Sequence, residues 1–268
     1  MTISRRTILA GGLAVVVTGC SSGGSDGSKD GGAGDGAGSS STTPTGGPAE
    51  ILAQDGTEIG GAGRAARFTA ADFEGLGTCV LTPEQTAGPF PLDEQFERTD
   101  ITEGVAGTPL RLGFRVVSAT GDSCGPLYPA AVEVWHADAT GDYSAFTDGG
   151  GGKDEAEGTT FLRGTQQVAN DGIAQFETIY PGWYTGRAVH IHVRVRYGDQ
   201  VLLTSQVYFD PDVTSAVYEA EPYAEFGEPD TSWDDDAIAG NPAEDGTALA
   251  LTQTSDGITG LINLGIPV

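Results

Sequence analysis

Residues 190–197 read His-Ile-His-Val-Arg-Val-Arg-Tyr, a strict alternation of apolar side chains with imidazole or cationic ones. An extended strand sorts this pattern into two coherent faces, because successive side chains point to opposite sides. Ile191, Val193, Val195 and Tyr197 then line one face against a core, while His190, His192, Arg194 and Arg196 share the other. The segment reads as a strand, and the two imidazoles on it stand close enough to share one ion.

From Cys79 onward the chain continues in this style, with short apolar and β-branched runs separated by turn residues. Leu110 to Val116 alternates, and Ala131-Val132-Glu133-Val134-Trp135 follows a Gly/Pro turn. Gln167 to Phe176 reads as a hairpin about Asn170-Asp171-Gly172, residues that tolerate a left-handed backbone. Val201 to Phe209 is the expected partner of the 190–197 strand. Thr247 to Leu251 and Ile258 to Leu264 read as a closing pair around Ser255-Asp256-Gly257. Glu219 to Asp245 is acidic and rich in Pro and Gly, so a long surface loop with room for one helical turn is expected. Many short strands with loop-borne chemistry predict an all-β fold, an antiparallel β-sandwich with long loops and a metal site at its edge.

The chain has three histidines, and all lie in two short segments that also carry tyrosines: Trp135 to Tyr143, and Pro181 to His192. Phenol titrates near pH 10, so holding it ionised at neutral pH costs roughly 4 kcal/mol, which a trivalent cation readily offsets. Zinc draws on Cys, His and carboxylate, whereas ferric iron suits anionic oxygen beside imidazole. Other sets remain open on these residues. His136 with His190 and His192 would make a three-histidine zinc or copper site, and Asp138 or Asp142 with two histidines an iron(II) site. The plainer reading of His136 is a core histidine bonded to backbone, of the two aspartates turn residues, and of Trp135 and Trp183 core or pocket wall.

At these residues the chain resembles the intradiol ring-cleavage dioxygenases. The matching runs are Thr82-Pro83-Glu84-Gln85-Thr86-Ala87-Gly88-Pro89-Phe90, Pro129 to Asp138, Gly141-Asp142-Tyr143-Ser144, Arg163-Gly164, Thr178 to Tyr184, Arg187 to His192, and Gln206-Val207-Tyr208-Phe209. The resemblance implies Tyr143, Tyr184, His190 and His192 as ligands of a non-haem Fe(III). It implies Arg187 as the arginine that stabilises charge on the substrate ring, and Gln206 as a glutamine behind the ligands. A catechol-type aromatic diol and O2 are the implied partners, and a muconate-type dicarboxylate the product. Phe90 stands where relatives often have tyrosine and Ala137 where exported members often have cysteine, departures that bear on substrate rather than metal. Ring substituents would be selected around residues 83–90 and 147–160.

The ends have another composition. Residues 1–19 carry Arg5-Arg6, a short apolar run and small residues, which predicts a signal peptide of the twin-arginine type. Val17-Thr18-Gly19-Cys20 reads as a lipobox, so Cys20 is expected to be lipidated and to anchor an exported protein to the outer face of the cytoplasmic membrane. Residues 20–75 are expected to hold a Gly/Ser-rich tether, its weakly apolar part at 50–75 open between tether and packing on the domain, with residues 76–268 as the folded domain. The two remaining cysteines, Cys79 and Cys124, favour a disulfide in an exported chain. The formal charge of −25, which becomes −27 without residues 1–19 and their two arginines, argues against nucleic acid as a partner. A homo-oligomer stays open, as does a non-catalytic surface lipoprotein whose sandwich binds a ligand.

Overall fold

A computed structural model of the chain describes residues 66–77, 80–120, 124–146 and 157–268, with backbone alone at 51–52 and 58–59. The leader, Cys20, most of the tether, Cys79 and residues 147–156 lie outside the described residues. Eight strands form two four-stranded sheets. In chain order they are β1 Pro109–Ser118, β2 Ala131–Trp135, β3 Arg163–Gln167, β4 Ile173–Ile179, β5 His190–Tyr197, β6 Gln200–Tyr208, β7 Ala250–Thr254 and β8 Gly257–Ile266. One sheet runs β4-β1-β8-β7 and the other β3-β2-β5-β6.

The sheets face each other across one apolar cluster. Leu110, Leu112, Phe114, Phe176, Ile262 and Leu264 come from the first sheet, and Val132, Val134, Ile191, Val193, Val195 and Val207 from the second. Each such side chain, once buried, contributes about 1.5–3 kcal/mol of transfer free energy. The β5 face read from the alternation holds: Ile191, Val193 and Val195 are fully buried, while Tyr197 at the tip is exposed. On the opposite face Arg194 and Arg196 both pair with the buried Glu133 carboxylate of β2, at 3.3 and 3.1 Å. The β5–β6 pairing sets His192 opposite Gln206 and His190 opposite Tyr208.

Two expectations are corrected. The run 167–176 does make its turn, with the Ala169 amide on the Ile173 carbonyl and Gly172 at φ 79°. Its two arms nevertheless part, because β3 pairs with β2 and β4 with β1 in the other sheet. The expected antiparallel-rich sandwich is present, with one parallel pairing, β1 with β8 from Leu110↔Ile258 to Ser118↔Ile266. Almost the whole domain lies between those two strands in sequence and serves as their crossover, so no dedicated connection is needed. The 219–245 stretch is also more structured than a surface loop with one helical turn, since it holds helical turns at Tyr223–Glu225 and Pro242–Asp245 and follows directly on a helix. Helix α1, Pro211–Tyr218, starts at an Asp210 cap that accepts from the Asp212 and Val213 amides. Beyond it Tyr223, Asp236 and Ala239 are buried.

Residues 66–75, which composition left open between tether and domain, pack on the sandwich. Arg67 pairs with Asp171 at 2.9 Å, and Phe68 and Phe73 join Ile173 in a satellite core. Cys124 is disulfide-bonded.

Candidate metal centre

Two loops carry the phenols. Asp138 builds the first: its Oδ1 accepts from the Thr140 amide at 2.8 Å, the Thr140 hydroxyl at 2.6 Å and the Asp142 amide at 3.1 Å. Tyr143 follows directly. In the second loop, before Tyr184, the Gly182 amide donates to the Asp138 carbonyl at 2.9 Å. A Cβ on Gly182 would lie 2.3 Å from that carbonyl oxygen, and one on Gly141 2.3 Å from the Trp183 carbonyl oxygen. Glycines at both places let the loops lie backbone on backbone, which brings the tyrosines together. Their rings stand edge to face with centroids 5.9 Å apart.

The imidazoles come from β5. His190 Nδ1 lies 2.6 Å from the Ala188 carbonyl, which can only accept, so the ring proton sits on Nδ1 and the Nε2 lone pair faces Tyr184. Tyr184 Oη is 3.1 Å from that Nε2, and His192 Nε2 is 3.3 Å from it. The Trp135 indole stacks on the His192 ring at 4.9 Å and 2°, fixing its plane. Tyr143 completes the group, its ring 6.0 Å from that of His192 and its buried hydroxyl without a hydrogen-bond partner. Gly88 lies against the His192 ring, where a Cβ would come within 3.1 Å of Cε1 and 3.4 Å of Nε2. A side chain there would crowd the lone pair.

The donor set suits a hard trivalent cation. Atoms sharing one ion at about 2.1 Å stand roughly 3.0–3.4 Å apart at tetrahedral to octahedral angles, which the two Nε2 distances match. Burial, followed by Arg187, pushes His190 down to about 3, and burial with His190 beside it pushes His192 well below the ordinary range. Burial raises the Tyr143 phenol well above its usual value, and raises Tyr184 against the opposing pull of Arg187. The imidazoles are therefore neutral donors, and the phenols keep their protons until a strong cation displaces them. The roughly 4 kcal/mol needed to ionise a solvated phenol is a lower bound here, since burial adds to it.

The competing donor sets do not assemble. His136 is fully buried, but its Nδ1–H donates to the Ala137 carbonyl at 2.8 Å and its Nε2 accepts from the Thr178 hydroxyl at 2.8 Å. Asp138 and Asp142 are both taken up by the turn around Thr140. Among the described residues no group of three or more His, Cys, Asp or Glu side chains is placed to hold a metal ion.

Behind the ligands, Arg187 donates through Nε to both Asp236 carboxylate oxygens, at 3.1 and 3.0 Å, and through Nη2 to Gln206 Oε1. Burial works to raise the Asp236 carboxyl, yet the Ile238 and Ala188 amides and Arg187 hold it below the usual value. Arg163, brought down to about 10 chiefly by burial, donates to the Ser144 hydroxyl and carbonyl and to the Phe90 carbonyl. It thereby ties the Tyr143 loop to the 83–90 segment. Phe90 packs 4.8 Å from the Tyr143 ring, and Ala137 lies in the same cluster.

The family model described as dioxygenase matches residues 83–220, more than half of the chain. The chain belongs to the intradiol ring-cleavage dioxygenases. An intradiol ring-cleavage dioxygenase from Tetranychus urticae is 30% identical, with 71% of this chain and 96% of that one covered and a TM-score of 0.64. The dioxygenase domain of a carbohydrate-binding fusion from Streptomyces sp. SirexAA-E is 26% identical, covering 70% of this chain and 99% of that one with a TM-score of 0.52. Chlorocatechol 1,2-dioxygenase of Rhodococcus opacus is 26% identical over 155 residues, 51% of this chain and 52% of that protein. The chain thus spans about half the length of that curated relative.

Sequence reading missed Asp236, which has no local signature and lies beyond the matched region. Gly88, Gln85 and Tyr208 lie within the quoted runs, but their tasks emerge only from the packing.

Proposed function

We propose that this chain is a non-haem ferric dioxygenase that opens catechol-type rings between the two hydroxylated carbons. The observation that carries the reading is the convergence of two phenols and two neutral imidazole nitrogens in one buried cluster. One ring C–C bond breaks, and both atoms of O2 enter the two carboxyl groups of a muconate-type product. Ferric iron held by Tyr143, Tyr184, His190 and His192 supplies, when bound, the Lewis acid that takes both catechol oxygens and activates the ring toward O2.

The chain's own groups do the rest. Tyr143 is fully buried and wedged against Phe90, whereas Tyr184 is part-exposed, so Tyr184 is the phenol free to swing and take a substrate proton on Oη. Arg187 offers its guanidinium to negative charge developing on the ring. Trp135, Phe90 and Ala137 keep water away from the donors. Export by the twin-arginine route and anchoring through a lipidated Cys20 are part of the same proposal, resting on residues 1–20.

Iron-loaded protein is expected to be coloured by tyrosinate-to-iron charge transfer and to consume O2 with at least one of catechol, hydroxyquinol and protocatechuate. Tyr184→Phe is expected to weaken the band and slow uptake. A colourless iron-loaded protein that leaves all three substrates untouched sinks the reading.

A further inference from the structure

Arg187 carries the charge-stabilising task in the reading above, on which this inference rests, and its own position is not set by its neighbours in sequence. Its guanidinium is held at both ends. At Nε it meets Asp236, whose side chain is fully buried and also accepts from the Ala188 amide at 2.9 Å and the Ile238 amide at 2.8 Å. At Nη2 it meets Gln206 Oε1, and the Gln206 amide donates to the Thr86 carbonyl at 3.0 Å. The Tyr208 hydroxyl stands 3.2 Å from Gln206 Oε1 and 3.1 Å from Gln85 Oε1 and shares its one proton between them, and Gln85 Nε2 donates to the Ile238 carbonyl at 3.0 Å. The chain of bonds therefore closes into a ring that starts and ends in the Asp236 segment.

That segment docks along the whole loop bearing Tyr184 and Arg187. Trp183 Nε1 donates to the Gly227 carbonyl at 3.0 Å and the Gly186 amide to Asp230 Oδ1 at 3.3 Å, ahead of the Asp236 contacts. All of it lies beyond residue 220, where the family match ends. An arginine on a free arm spreads over several rotamers. A buried carboxylate that also holds the Ala188, Ile238 and Ala239 amides cannot follow such motion, so it selects one. Asp236 meets the guanidinium through Nε alone, which leaves Nη1 and the other edge of the fork unused by it.

We propose that Asp236 is a positioning residue for turnover, holding Arg187 in the one orientation that faces the substrate, and that residues 227–239 are thereby a working part of the active site. In iron-loaded full-length protein, Asp236→Asn is expected to lower kcat roughly tenfold to a hundredfold, with KM changed less than about threefold and the charge-transfer band unmoved. Arg187→Met with Asp236→Asn is expected to be no slower than Arg187→Met alone, since both remove the same oriented charge. Arg187→Lys, which keeps the cation but has no fork for Asp236 to grip, is expected to lose about as much as Arg187→Met and serves if Asp236→Asn does not fold. Undiminished kcat in Asp236→Asn or Arg187→Lys overturns the proposal, as do losses that multiply in the double variant. Wild-type turnover with any of those results leaves the dioxygenase reading standing, whereas a wild type that consumes no O2 ends both.

Discussion

His136 and His190 are both fully buried, and both donate Nδ1–H to a backbone carbonyl close by in sequence. They differ in what faces Nε2. In the His136 pocket a Thr178 hydroxyl fills that lone pair at 2.8 Å, and the ring is a closed structural unit. At His190 the same atom faces two donor atoms at once, the Tyr184 hydroxyl at 3.1 Å and the Nε2 of a second imidazole at 3.3 Å, which could share a cation with it. Burial and tautomer therefore do not mark a ligand. The partner of the remaining nitrogen does.

Exchanging the two histidines' fates is the strongest way to break this contrast. His190→Ala is expected to cut iron affinity by more than roughly a hundredfold and abolish colour and O2 uptake, because even outer partners of ligands cost 10- to 100-fold. His136→Asn is expected to keep its iron, as metal analysis of the purified variants would show; loss of iron in both would erase the distinction. A smaller effect lies in pH. Burial takes His136 from 6.5 to about 4 in the fold, so its contribution is complete above pH 6.5 and is lost as pH falls toward 4. That is about 3 kcal/mol, and urea unfolding at pH 7 and pH 4.5 should fall less steeply with pH in His136→Asn than in the wild type. Smallest is Thr178→Val, which leaves the buried Nε2 without its donor and is expected to cost about 2 kcal/mol in denaturant while gaining no second metal.

Much of the site is legible in one dimension because strand geometry is local. The alternation through residues 190–197 puts His190 and His192 on one face, and a tight turn at 198–199 then brings Gln206 and Tyr208 opposite them. The 167–176 run shows the limit of this. Its turn residues dictate a reversal, and the reversal is present, but turn chemistry says nothing about which sheet each arm joins. That choice belongs to β1 and β2, whose apolar faces offer β4 and β3 better neighbours than each other. Asp236 is illegible for another reason: an aspartate in an acidic loop reads as solvated until the fold buries it against Arg187, 49 positions away.

The tyrosines beside the imidazoles were named by the family resemblance; by itself the sequence determined most of the strands, the shared face of the two imidazoles and the plain role of His136. These follow from period-two geometry and from the chemistry of single residues. Only the tertiary structure decided the parallel pairing of β1 with β8, the parting of β3 from β4, and the hold of Asp236 on Arg187. Each of those depends on which distant surfaces exclude water together, and that competition is settled by the whole chain at once rather than by any stretch of it.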